Sequence, residues 1–120
     1  MRLEDLFDNS RIIVSRVSDD DVMPTQELIN DAFSYQDKIK GEKRITIDRL
    51  REKIAETEFY VWKDEAADVV ACVYVELLQD RLHFGLFSVA DSYRGKGLAQ
   101  EIMRCLEDYA LANGKHTMEL

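Results

Sequence analysis

Three apolar runs crowd together in the second half of the chain: "EFYVWK" from Glu58, "DVVACVYVELL" from Asp68 and "RLHFGLFSV" from Arg81, joined by the polar turns "DEAAD" and "QD". Short runs rich in Val, Tyr, Phe and Trp between turn residues read as strands. A parallel crossover needs about a dozen residues, which these connections lack, so the three strands form an antiparallel meander. The rest of the chain must then pack around that sheet. After it the period changes: Leu98, Ile102, Cys105, Leu106, Tyr109 and Ala110 recur at helical spacing, and Asn113 and Gly114 end the helix. The closing "KHTMEL" alternates and predicts a last strand, parallel to the one before the helix.

On the N-terminal side, "RIIVSRVS" from Arg11 to Ser18 is β-branched and short, and Asp19 to Asp21 follow as helix-start residues. Pro24 fits an early helical turn, and Leu28, Ile29, Ala32 and Phe33 recur on one face. "SYQDKIKGEKR" from Ser34 to Arg44 lacks an apolar period and reads as a surface loop. Thr46 caps a second helix with Asp48 in its first turn and Ile47, Leu50 and Ile54 on one face. The predicted order is β-α-α-β-β-β-α-β, a single domain over residues 1–120 of the mixed α/β (α+β) class. Alternation along the strands places Phe59, Tyr60, Trp62, Tyr74, Phe84 and Phe87 mostly in the core.

A net charge of −8 argues against a nucleic-acid partner, which requires a basic stripe to displace phosphate counterions. No segment approaches the roughly 20 apolar residues of a membrane span, and "MRLEDLFDNS" has no apolar core of a signal peptide, so a cytoplasmic address, or a nuclear one, is expected. Cys72 and Cys105 have no metal-ligand spacing to His83 or His116; both read as buried free thiols, and no metal is expected.

The junction "LFSVADSYRGKGLAQEIM" carries the chemistry. Amides at a helix N-terminus present unsatisfied donors and the positive end of the helix dipole, a setting for phosphate. Gly95 and Gly97 remove side chains from the approach and suit positive φ, while Arg94 and Lys96 add positive charge to an acidic protein. The same glycines also suit a plain strand-to-helix turn with solvated charges. A P-loop fails, because Leu98 stands where Ser or Thr must follow. The dinucleotide fingerprint meets Gln100 at its third glycine and has five residues, Ala90 to Arg94, ahead of its first, although Glu119 lies near the ribose-binding distance.

The segment Arg94-Gly95-Lys96-Gly97-Leu98-Ala99 resembles the acetyl-CoA signature of the GCN5-related N-acetyltransferases, and the order of elements from about Arg11 to Leu120 is similar to the N-terminal part of that fold. The resemblance implies a mostly antiparallel sheet with flanking helices and acetyl-CoA as co-substrate. It implies a pyrophosphate on the backbone from Gly95 to Ala99, Leu98 included, with Arg94 and Lys96 beside it. It also implies main-chain contacts of the pantetheine arm with Phe87 and Val89, and an oxyanion donor in the Val89 N–H. A primary amine, of a small molecule, is the implied acceptor, attacking directly in a ternary complex. It needs a base. His83 stands where some members carry a glutamate, with Glu76 across the hairpin as a second candidate; each also reads as an ordinary residue on a strand face. Phe33 and Tyr35 are the implied acceptor wall. The family fold continues with another helix and two strands, and the tyrosine that often protonates the leaving thiolate lies on that helix. The chain is therefore expected to be a C-terminally incomplete domain, either a fragment of a longer protein or one completed as a homodimer or by a partner chain. A non-catalytic CoA-binding or interaction module is the alternative, and an NAD-binding module a third.

Overall fold

A computed structural model describes residues 2–32 and 45–120. Its centre is a five-stranded sheet in the order β1-β2-β3-β4-β5, with β1 Ile13–Arg16, β2 Glu58–Lys63, β3 Val69–Leu77, β4 Leu82–Val89 and β5 Met118–Glu119. The first four strands pair antiparallel and β5 lies parallel to β4, as short turns followed by a helical crossover require. Helix α1, Leu3–Leu6, is an addition to the predicted order; it is one turn of helix whose Leu3 is fully buried. Helix α2 spans Val22–Ala32, α3 Ile47–Glu56 and α4 Leu98–Ala112. The segment 34–44, read as a loop, lies outside the described residues, as do Phe33 and Tyr35.

Local chemistry starts each helix. The Asp21 carboxylate accepts from the N–H and the hydroxyl of Ser18, both at 2.9 Å, closing a 3₁₀ turn that leads into α2. Thr46 accepts from the Arg49 N–H at 3.1 Å and caps α3 as predicted. The Gly97 backbone, at φ 86°, sets the first turn of α4.

Both faces of the sheet are covered. On one, Leu98, Ile102, Cys105, Leu106 and Tyr109 of α4 pack with Leu3 on Tyr60, Trp62, Val73, Val75, Leu82 and Phe84. On the other, Val22, Leu28, Ile29 and Leu50 from α2 and α3 pack on Phe59, Val61, Cys72 and Tyr74. Cys72 and Cys105 are buried free thiols, one in each core.

The pairing of β3 with β4 slips midway. Cys72 faces Ser88, yet Tyr74 faces Gly85, so β4 holds an extra residue at a bulge where Leu86 takes φ 54°. The Leu86 carbonyl is tied inward by the Cys72 thiol at 3.5 Å and the Ser88 hydroxyl at 3.2 Å. β5 pairs with β4 at Leu82 and His83. Beyond His83, the outer edge of β4 has no strand neighbour among the described residues.

Candidate active site

The end of β4, the turn after it and the start of α4 enclose a cleft of about 480 Å³. Main-chain direction alternates along a strand, and Ala90 donates to the Val70 carbonyl of β3 at 2.8 Å. Phe87 and Val89 therefore turn their N–H and C=O groups to the open side of β4, while their side chains pack into the core beneath α4. A 3₁₀ turn at Asp91–Tyr93 then carries the chain to the two glycines, Gly95 at φ 75° and Gly97 at φ 86°. A Cβ built at either glycine meets no atom within 4 Å, so the space over the turn is open and the left-handed backbone is what asks for glycine. The first intrahelical bond of α4 runs from the Glu101 N–H to the Gly97 carbonyl, which leaves the N–H groups of Leu98, Ala99 and Gln100 without an intrahelical acceptor.

Of the eight residues read as a cofactor site, Phe87, Val89, Arg94, Gly95, Gly97 and Ala99 share the wall of this cleft. Leu98 points into the core, 3% exposed, and only its backbone belongs to the turn. The Lys96 side chain lies on the far side, over the Tyr93 ring at 5.7 Å, and lines a second cleft with Arg11 and Glu65. Arg94 makes an ion pair of 3.1 Å with Asp91 and stays more than half exposed. Ser88, Tyr93 and Gln100 also line the first cleft and were not singled out from sequence. The slip in register brings Ser88 there, and no turn residue in "HFGLFSV" announces it.

His83 and Glu76 are cross-strand partners, with Glu119 opposite His83 on β5. The imidazole sits between two carboxylates, Nε2 at 4.0 Å from Glu76 and Nδ1 at 3.7 Å from Glu119. Glu119 is itself bound by Arg81 at 2.9 Å. The Tyr74 hydroxyl lies 3.3 Å from Nε2. This row stands on the α2–α3 face, and none of its members lines the cleft at the end of β4. Tyr74 was read only as a core aromatic; the signal for more was Gly85, since glycine inside a strand marks a close approach. Among the described residues no group of three or more His, Cys, Asp or Glu side chains is placed to hold a metal ion, and no helix is long and apolar enough to cross a membrane.

The sequence profile of the acetyltransferase (GNAT) family matches residues 23–120. The chain belongs to this family. No curated protein matches the acetyltransferase in sequence, but solved structures match its fold. It aligns with a Trypanosoma brucei acetyltransferase at TM-score 0.66 and 15% identity, covering 89% of this chain and 80% of that one. With an N-acetyltransferase of Staphylococcus aureus Mu50 the TM-score is 0.67 at 19% identity, over 88% of this chain and 69% of the other. With the ribosomal-protein-S18-alanine N-acetyltransferase of Escherichia coli it is 0.68 at 12% identity, over 86% and 61%. Identities this low show a common fold and leave the acceptor open. Acetyl-CoA is the co-substrate that the family generally uses.

Proposed function

We propose that this acetyltransferase moves the acetyl group of acetyl-CoA to a primary amine of a small molecule, by direct attack within a ternary complex. The observation that carries the reading is one cleft joining an open strand edge, at Phe87 and Val89, to a helix N-terminus behind two glycines of positive φ. Outward main-chain groups suit an extended amide-bearing arm, and free amides at a helix start suit a pyrophosphate. The residues present fit acetyl-CoA: the amides from Gly95 to Ala99 would hold its phosphates, Arg94 would add a charge-assisted grip, and Phe87 and Val89 would pair with its arm. Bound there, it supplies an activated thioester.

The Val89 N–H, turned to the open edge, would stabilise the oxyanion. His83, with Glu76 beside it, would take the proton that an ammonium must lose before attack. Phe33 and Tyr35, at the end of the predicted first helix, would border the acceptor. The domain over residues 1–120 would be completed by further chain, a second copy or a partner. Two buried free thiols suit the reducing cytoplasm.

Calorimetry with acetyl-CoA, beside thiol release in the presence of a panel of amines, tests the proposal. Binding with amine-dependent release is the expected result. Binding without release from any amine would favour the non-catalytic module, and a folded chain that ignores acetyl-CoA would overturn both.

A further inference from the structure

Asn9, between α1 and β1, is tied to the first turn of α4. Its side-chain oxygen accepts from the Arg11 N–H at 2.8 Å and the Ile12 N–H at 3.1 Å, and Ile12 is buried in the core, so the side chain is fixed at the entrance to β1. Two backbone donors on the oxygen leave the amide nitrogen facing the other way. It donates to Glu101 Oε2 at 3.1 Å, 92 residues along the chain. Among the described residues Asn9 is the only hydrogen-bond partner of that carboxylate, and no ion pair holds it. Held so, Glu101 lines the second cleft with Asn9 and Lys96 and takes no part in the wall of the first.

The Glu101 N–H makes the first intrahelical bond of α4, to the Gly97 carbonyl at 3.0 Å. In a capping box a glutamate reaches back three residues and accepts from a backbone N–H. The same reach takes Glu101 to the N–H of Leu98, one of the three amides without an intrahelical acceptor. The positive end of the helix dipole favours a carboxylate there as it favours a phosphate, so the two compete for one donor. We propose that Asn9 is a positioning residue for acetyl-CoA: it holds Glu101 off the Leu98 N–H and keeps that amide open to the pyrophosphate. The inference rests on the acetyltransferase reading above, with the phosphates on the amides from Gly95 to Ala99. Asn9 itself lies ahead of residues 23–120, the stretch that the family profile matches.

The test is Asn9→Ala, alone and combined with Glu101→Gln. The first substitution frees the carboxylate; the second keeps the length of the side chain and removes its charge. In NMR spectra of the protein without ligand, the Leu98 amide proton should move downfield from the wild type to Asn9→Ala, as a carboxylate bonds to it, and should return in the double variant. An unmoved Leu98 amide overturns the proposal. So does a shift that persists in the double variant, which would report a rearranged entrance to β1 in place of a captured amide. Asn9→Asp keeps the oxygen that the Arg11 and Ile12 amides use and loses only the donor to Glu101, so it gives the same NMR readout should Asn9→Ala not fold. In calorimetry, Asn9→Ala should bind acetyl-CoA about threefold to tenfold more weakly than the wild type, and the double variant should recover the wild-type affinity. A wild type that binds acetyl-CoA no better than Asn9→Ala, or a loss that Glu101→Gln does not recover, overturns the role of Asn9 alone. A folded wild type that ignores acetyl-CoA overturns the acetyltransferase reading and the role of Asn9 with it.

Discussion

The Tyr109 hydroxyl of α4 donates a 2.7 Å hydrogen bond to Glu58 at the start of β2, and Tyr60 donates to the same carboxylate oxygen at 2.8 Å. Two phenols on one carboxylate oxygen fasten the C-terminal half of α4 to the start of β2. Tyr109→Phe removes one of the two while leaving the ring packed in the core. It should lower stability by about 1–2 kcal/mol, read as a shift in the urea midpoint with unchanged slope. An unaltered midpoint would mean that solvent replaces the bond at no cost.

Asp21, 5% exposed, makes a 2.7 Å ion pair with Lys63 besides its bonds to Ser18. Burial by itself pushes this carboxyl up, but the Lys63 bond and the Ser18 N–H and hydroxyl outweigh it and hold the group below its ordinary value. A carboxyl depressed in the folded state contributes stability that is present above its unfolded value, about 3.9, and is lost as pH falls through the lower folded value. Urea midpoints between about pH 2.5 and 5 should therefore fall less steeply with acid in Asp21→Asn than in the wild type. Equal slopes would remove Asp21 from the acid transition.

Gly97 and Gly114 take nearly the same left-handed backbone, φ 86° and 74°, at opposite ends of α4. Alanine at either should cost about 1–2 kcal/mol of stability, since a Cβ is disfavoured at that φ. Only Gly97→Ala should also weaken acetyl-CoA binding, by roughly tenfold, because only that turn aims amides into the cleft. Calorimetry on the two variants separates the effects; equal affinities would move the phosphates elsewhere.

Gly85→Ala puts a methyl group into the Tyr74 ring and should destabilise by about 1–3 kcal/mol, as overpacking does. In the pair Gly85→Ala and Tyr74→Leu the smaller side chain yields the space, so the double variant should be more stable than the sum of the singles predicts. Strict additivity in thermal melts would show that the two residues do not touch in solution.

The fold was legible wherever one residue type had one structural meaning. Apolar runs between turn residues gave β2, β3 and β4, Thr46 and Asp48 gave the start of α3, and Asn113 and Gly114 gave the end of α4. The paired glycines marked the turn because left-handed backbone selects glycine. The bulge was not legible: Leu86 adopts φ 54° with no glycine or proline to announce it, held by the Cys72 and Ser88 bonds to its carbonyl. Without the bulge the register beyond Gly85 is wrong by one residue, and Ser88 is not brought to the cleft. Helix α1 was missed because one turn carries too few residues to show a period. Lys96 misled for a simpler reason: neighbours across a tight turn point to opposite sides, so charge near a motif need not face its cleft.

The parting of β5 from β4 gives the two ends of one strand different lifetimes. At Leu82 the amide donates to the Thr117 carbonyl, just before β5, at 2.9 Å, and the residue has a strand neighbour on each side. At Phe87 and Val89 the amides look outward from the same strand, where local openings are not needed to admit solvent. Deuterium should enter the outer end of β4 long before the inner end, so the strand is built to keep its place in the sheet at one end and to remain available at the other.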